Sequence, residues 1–352
     1  MGARTRGLAN NVLSSGKLDA TDAISGTIAA GNIANDSLTS ATTYGSITGG
    51  VPAVASDPPS PTDGDIWYNT TTGTLRFRSK LGAWSSGGNM NTARRVEGVG
   101  TQTAALGFGG TPPVSGLTES YDGTSWTEVN DLNTARYELG QAGTQTSALG
   151  FGGNNGPGGT GVTETWNGTS WTEVNDLNTA RYQLQGAGAD NTSALGFGGY
   201  STTQSALTES WNGTSWTEVN DLNTAREGIA GCGTQPAALA FGGYDTGVTA
   251  VTESWNGTSW TEVNDLNTAR RLSAGAGTQT SALCIGGYIG SVQSLTESWN
   301  GTSWTEVADL ATARNQLGGA GTGNISALAF GGNPTTNATE EWNVSDTTFT
   351  VG

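Results

Sequence analysis

One string returns six times along this chain: Thr-Ala-Arg, ending at Arg94, Arg136, Arg181, Arg226, Arg270 and Arg314. A Gly-Gly pair keeps step with it, ending at Gly110, Gly153, Gly199, Gly243, Gly287 and Gly332. Two series in phase define a module of roughly 44 residues, and a fixed period of this size marks a repeat architecture. Each module runs in one order: Thr-Ala-Arg, a glycine-containing stretch, a string like SALGFGG (147–153), a variable segment, and a string like LTESWNGTSWTEVNDL. Any fold for this chain has to give six copies of one unit equivalent surroundings.

Within SALGFGG, Leu149 and Phe151 alternate with Ala148 and Gly150. Period two predicts a strand, and the small face lets a neighbouring sheet come close. Asn-Gly at 167–168, 212–213, 256–257 and 300–301, with Asp122-Gly123 in the first module, predicts a hairpin turn, because both residues tolerate positive φ. The module is therefore a four-stranded meander. One such sheet cannot bury its own faces, and sheets repeated about an axis give a β-propeller. Tryptophans flank the turns (166 and 171, 211 and 216, 255 and 260, 299 and 304) and are expected between the sheets, where each removes roughly 150–250 Å² from water. The last module keeps Arg314, Gly331-Gly332 and Trp342, and Phe349 stands where its second Trp would be. Six complete blades then fit without borrowing a strand. Trp84 lies ten residues before Arg94, as Trp126 does before Arg136, so residues 65–84 form a further hairpin that caps or extends the ring, and seven blades stay open as an alternative.

Composition excludes several functions. The chain of 352 residues carries 30 Asp and Glu against 14 Lys and Arg, a formal charge of −16, which argues against nucleic acid or an anionic membrane as partner. It has no histidine, which removes Ser-His-Asp catalysis, His-ligated metals and a histidine pH switch. Cys232 and Cys284 are too few for a disulfide framework. The start lacks the apolar core of a signal peptide, and no run of about 18 apolar residues predicts membrane insertion.

The order Gly-Gly, Tyr-Asp (121–122), Trp126, DLNTAR over about 89–352 resembles the kelch repeat. That resemblance implies a six- or seven-bladed propeller used mainly for binding. The family's copper enzyme, galactose oxidase, needs His ligands that this chain lacks, and ESYDGTSW is one residue short of a sialidase Asp-box. Upstream, Ile24, Ile28, Ile33 and Leu38 step through AISGTIAAGNIANDSL, which resembles phage tail-fibre shaft repeats, and GDIWYNTTTGTLRFRSKLGAW resembles a short module of phage fibre proteins. The expected organisation is a 1–60 attachment and oligomerisation segment with its linker, a 61–88 β-hairpin module, and an 89–352 propeller.

The repeated acids and arginines, such as Glu253, Glu262, Asp265 and Arg270, recur in every unit. An active site is built once, so an Arg–carboxylate link between adjacent blades explains them better than catalysis. No catalytic residue, metal or cofactor is expected, and the NGT triplets are turns. Function should then lie where the units differ. The residue after Thr-Ala-Arg is Arg95, Tyr137, Tyr182, Glu227, Arg271 and Asn315 in turn. The segment after Gly-Gly begins with Tyr200, Tyr244 and Tyr288 in three units. In kelch propellers both places open on one face. Tyr137, Tyr182, Tyr200, Tyr244, Tyr288, Arg95, Glu227 and Arg271 are thus the expected ligand-binding residues, suited to a glycan or a protein surface. These features together point to a homotrimeric phage virion appendage, held to other virion proteins by its N-terminal segment and touching a host-surface glycan or protein. The alternatives are a capsid or tail decoration protein and, more remotely, a polysaccharide-degrading enzyme.

Overall fold

The computed structural model describes residues 51–61 and 64–351, and every described element is a strand. The fibre-like steps at Ile24–Leu38 and the trimer they imply lie outside the described residues. Two compact units divide the chain: one holds residues 51–81 and 344–351 of the described part, the other spans Gly82–Asn343.

The larger unit is a six-bladed β-propeller. In its second blade, Gly140–Thr144, Ser147–Phe151, Thr163–Trp166 and Trp171–Val174 pair antiparallel in sequence order from the axis outward. Blades one and three to five repeat this meander. The two faces of the second strand serve opposite neighbours. Ala148 packs with Leu106 and Phe108 of blade one, while Leu149 and Phe151 pack with Ala194, Trp211 and Trp216 of blade three. The small face is obligatory: a Cβ on Gly150 would stand 3.0 Å from the Phe108 ring, and one on Gly196 would stand 2.7 Å from Phe151.

The tryptophans do lie between blades. Trp171 is 5% exposed, its ring centre is 4.9 Å from that of Phe108, and its Nε1 donates to Thr118 Oγ1 of the preceding blade at 3.1 Å. Trp126, Trp216, Trp260 and Trp304 repeat the bond to Thr339, Thr163, Thr208 and Thr252. Each ring thus buries a large apolar area while its one polar group is satisfied.

The sixth blade corrects the expectation of closure without a borrowed strand. Its inner strands, Gly318–Gly323 and Ser326–Phe330, are followed by Thr339–Val351, but the strand outside that one is Thr74–Ser86, from ahead of the first module. Trp84 supplies the missing ring. It lies 5.4 Å from Trp342, as Trp171 does from Trp166, and donates to Thr296 Oγ1 of blade five at 3.1 Å. Phe349 does not take that place; it stacks at 4.8 Å on Phe77 in the smaller unit. The similarity of Trp84 to Trp126 therefore reflects an outer strand of the sixth blade, and the described residues form six blades and not seven. Two substitutions fit this closure. Asn130, Asn175, Asn220 and Asn264 each donate to a turn carbonyl of the following blade at 2.8 Å, and Ala308 replaces the next one, where no such turn follows. Ala311 likewise replaces the asparagine that elsewhere donates to the outer-strand Trp carbonyl, as Asn133 does to Trp171.

The arginines are the polar centre of each blade. Arg136 is fully buried and pairs with buried Glu164 at 3.0 Å while donating to the carbonyls of Gly152 and Val162. Glu164 also accepts from Asn133 and from the Thr134 N–H. The pair recurs at Arg94–Glu119, Arg181–Glu209, Arg226–Glu253, Arg270–Glu297 and Arg314–Glu340. Contrary to expectation, each ion pair falls inside one blade. The link between blades runs through the arginine's main chain, whose carbonyl accepts from the second glycine of the preceding Gly-Gly: Gly110 to Arg136, and so on to Gly332 and Arg94, which completes the ring.

In the smaller unit, Ile66–Asn69 and Thr74–Ser86 form a hairpin, and Ala53–Val54 adds a parallel strand. Asp57 accepts from Trp67 Nε1 and Asn69 Nδ2, both at 2.9 Å, and pairs with Arg76. Cys232 and Cys284 are buried free thiols, with Cys232 pushed up to about 12 by burial.

Trp260→Ala should cost about 3–5 kcal/mol, because the ring is 5% exposed and packs on Phe197. Denaturant unfolding measures this, and an unchanged midpoint would contradict the packing. Trp84→Ala, at a half-buried ring, should cost about 1–3 kcal/mol. A stability equal to the parent's would mean that this strand does not close the ring.

Candidate functional site

The variable residues meet because of how each inner hairpin ends. At Gly152-Gly153 both residues have positive φ (64° and 95°), a region glycine enters without a Cβ penalty. In blade one a Cβ on Gly110 would lie 2.0 Å from the Arg95 carbonyl, so the turn admits no side chain. The chain beyond Gly-Gly then pairs with the residue after Thr-Ala-Arg in a two-residue bridge.

These bridges join Tyr137 to Asn154, Tyr182 to Tyr200, Glu227 to Tyr244, Arg271 to Tyr288 and Asn315 to Asn333. Arg95 pairs with Thr111 and donates to Asn333 Oδ1 at 3.4 Å. Tyr182 and Tyr200 stand 5.4 Å apart with tilted rings. Arg271 lies over Tyr244 and Tyr288, with its guanidinium carbon 4.8 and 5.7 Å from the ring centres, and Glu227 approaches it to 3.7 Å. Tyr137 pairs with an asparagine and has no tyrosine opposite it. The face is thus divided. Blades four and five hold a cation between two rings and a carboxylate, whereas blades two and three present Tyr137, Asn154, Tyr182 and Tyr200 at the same positions, with no charged group among them.

A second layer lies nearer the axis, and the sequence reading missed it. The next residue in blades two to six, Glu138, Gln183, Gly228, Leu272 and Gln316, has φ between 49° and 58°. Each N–H from Gln183 onward donates to the previous blade's carbonyl, at 2.8–3.0 Å, so a ladder of hydrogen bonds crosses five blades. Blade one is one residue shorter here: Glu97 pairs with Phe108 as Gly140 does with Phe151, and no left-handed residue precedes it. Beyond the ladder, the inner strands surround a channel of ≈ 80 Å³ lined by glycine, alanine, valine, Cys232 and Gln141. That is space for a few waters and too little for a sugar.

Acid gathers at this mouth. Gln316 donates across the ring to Glu138. Burial raises the Glu138 carboxyl above its usual range, against the lowering effect of Gln183 and Arg95. Half-buried Glu97 is pushed up to about 8, first by burial and then by the charge of Glu138. Burial also raises Glu227, which Arg271 opposes. The only hint in the sequence was the 42-residue first interval between arginines and the scatter of residue types two places after each arginine.

Among the described residues no group of three or more Cys, Asp or Glu could hold a metal ion, and no helix is long and apolar enough to cross a membrane. No protein-family model matches this sequence, and no curated protein does.

Glu97 gives a pH test. In the folded chain it keeps a proton that the unfolded chain releases above its ordinary 4.5, so its stabilisation is full below that pH and is lost as pH rises towards about 8. Glu97→Gln should flatten this part of the stability–pH profile. A profile identical to the parent's between those limits would show that Glu97 is not held protonated.

Proposed function

We propose that this chain is a phage virion appendage protein whose propeller binds a host-surface glycan through the face carrying the bridged variable residues. One observation carries the reading. The arginine, its partner glutamate, the Gly-Gly pair and the second-strand residues that recur in all six modules are held in packing and hydrogen bonds, while the residues that differ gather at the bridges after Thr-Ala-Arg and Gly-Gly. A scaffold held constant beneath one varied surface is the arrangement of a binding module, and half-exposed tyrosines offer both ring area and hydroxyls to a sugar. Its resemblance to the kelch repeat favours binding over catalysis. The fibre-like strings at 18–40 and 65–84 favour a virion, with the N-terminal segment attaching and trimerising the chain. The aromatic pair Tyr182–Tyr200 and the Tyr244–Arg271–Tyr288 stack are the contacts we assign to the receptor.

The double variant Tyr200→Ala, Tyr244→Ala should lower particle adsorption at least ten-fold while assembly and the melting curve stay as in the parent. Normal adsorption would remove host binding from this face and leave a decoration protein that binds other virion components.

A further inference from the structure

One arginine is placed unlike all the others. Among the described residues, the side chain of every arginine except Arg271 donates at least one hydrogen bond. Arg271 donates none. Its Nε is shielded from solvent without a partner, and Glu227 Oε1, 3.7 Å from Nη1, is beyond hydrogen-bond reach. Glu227 in turn has this arginine as its one polar side-chain partner among the described residues. The guanidinium is nevertheless held. It lies over the rings of Tyr244 and Tyr288, with its carbon 4.8 and 5.7 Å from their centres. Main-chain bridges tie Glu227 to Tyr244 and Arg271 to Tyr288, so all four residues are fixed to two successive blades. Stacking of this kind occupies the faces of a guanidinium and leaves the N–H groups in its plane free. The side chains of Arg271 and Glu227 are 28% and 14% exposed, so a solute can reach both.

A positioned donor group thus faces a positioned acceptor group across a gap that neither closes. A guanidinium only donates and a carboxylate only accepts, whereas a hydroxyl does both. Two hydroxyls on adjacent carbons can each accept from Arg271 while donating to Glu227, which satisfies both groups and adds no charge. A charged ligand fits less well. An acidic group attracted to Arg271 is repelled by Glu227, and an ammonium group attracted to Glu227 is repelled by Arg271. We propose that Glu227 and Arg271 bind adjacent hydroxyls of an uncharged sugar, with Tyr244 and Tyr288 as the apolar walls of the site. Ile289, 42% exposed and next in sequence to Tyr288, adds apolar surface in the same loop. This inference rests on the reading of the variable face as a glycan-binding surface, and names the kind of sugar.

The test is ligand-observed NMR titration of the full-length protein with the methyl glycosides of glucose, galactose and mannose, each beside its uronate and its 2-amino counterpart, at matched ionic strength. At least one neutral glycoside should bind saturably, and its charged counterparts should bind no more tightly. Arg271→Lys, which keeps the charge but loses the planar donors, and independently Glu227→Gln, which keeps the side-chain shape, should each weaken that binding about ten-fold or more. Both variants should melt as the parent does, since neither side chain makes a hydrogen bond in the fold. Saturable binding of no neutral glycoside, tighter binding of a uronate or amino sugar, or binding by either folded variant at or above the parent's strength would each overturn the assignment. A gain in uronate affinity on Glu227→Gln would show instead that Arg271 reads an anion. The host-surface reading fails separately: particles bearing Tyr200→Ala and Tyr244→Ala could adsorb normally while the purified parent protein still bound the neutral sugar.

Discussion

Six buried arginine–glutamate pairs are the constraint from which the rest of this propeller follows. A guanidinium without solvent is costly unless its donors find partners, and the terminal nitrogens of each of these find a carboxylate and nearby main-chain carbonyls, although the Nε of Arg136, Arg181, Arg270 and Arg314 has none. Those carbonyls belong to the end of the second strand and the start of the third, so the side chain fixes the path between them. The glutamate in turn holds the asparagine and threonine that lead into the blade. With the arginine carbonyl bonded to the preceding Gly-Gly, one residue ties the inside of its own blade to the blade before it. The apolar core is built on this frame. It explains how a chain with 56 glycines and few large aliphatic residues keeps its sheets in register.

The same frame separates what must stay from what can change. The tryptophans and the small residues of the second strand touch neighbouring blades, so altering one disturbs two units, while each arginine–glutamate pair fixes the path of its own blade. The residues after Thr-Ala-Arg and Gly-Gly are held by main-chain bridges that accept any side chain, which is why Tyr, Glu, Arg and Asn occupy equivalent places there. The left-handed ladder lies between these regimes. Its bonds are main-chain, but a non-glycine residue at φ near 50° is strained, at roughly 1–2 kcal/mol. Glu138, Gln183, Leu272 and Gln316 accept that strain around a crowded axis, where the inner strands approach so closely that a Cβ on Gly275 would lie 2.3 Å from the Gly231 carbonyl.

Much of the fold was legible because repetition turns one local pattern into six consistent ones. Period-two alternation at 147–151, the Asn-Gly turns and the paired tryptophans each specify a local feature, and their recurrence specifies the ring. The closure was not legible from spacing alone: Phe349 and Trp84 both matched an outer-strand aromatic, and only strand pairing separates them. Ala308 and Ala311 were the available clue, since both asparagines disappear where the outer strand arrives from elsewhere. At the candidate site, the tyrosines and charges after each arginine were visible as differences between units. Glu97 and Glu138 were hidden because their environment comes from burial at the axis and a one-residue shortening, neither of which leaves a motif.

The borrowed outer strand also sets an order of events as the protein is made. Residues 82–86 leave the ribosome first among those of the propeller, yet their partner strand, beginning at Thr339, is among the last. At about 5–20 residues per second the early strand waits tens of seconds for its place. Blades one to five can assemble meanwhile as an open arc with an unpaired edge at each end. A chain that stops short of its final module leaves that arc open, so an incomplete product differs from a finished one in shape as well as in length.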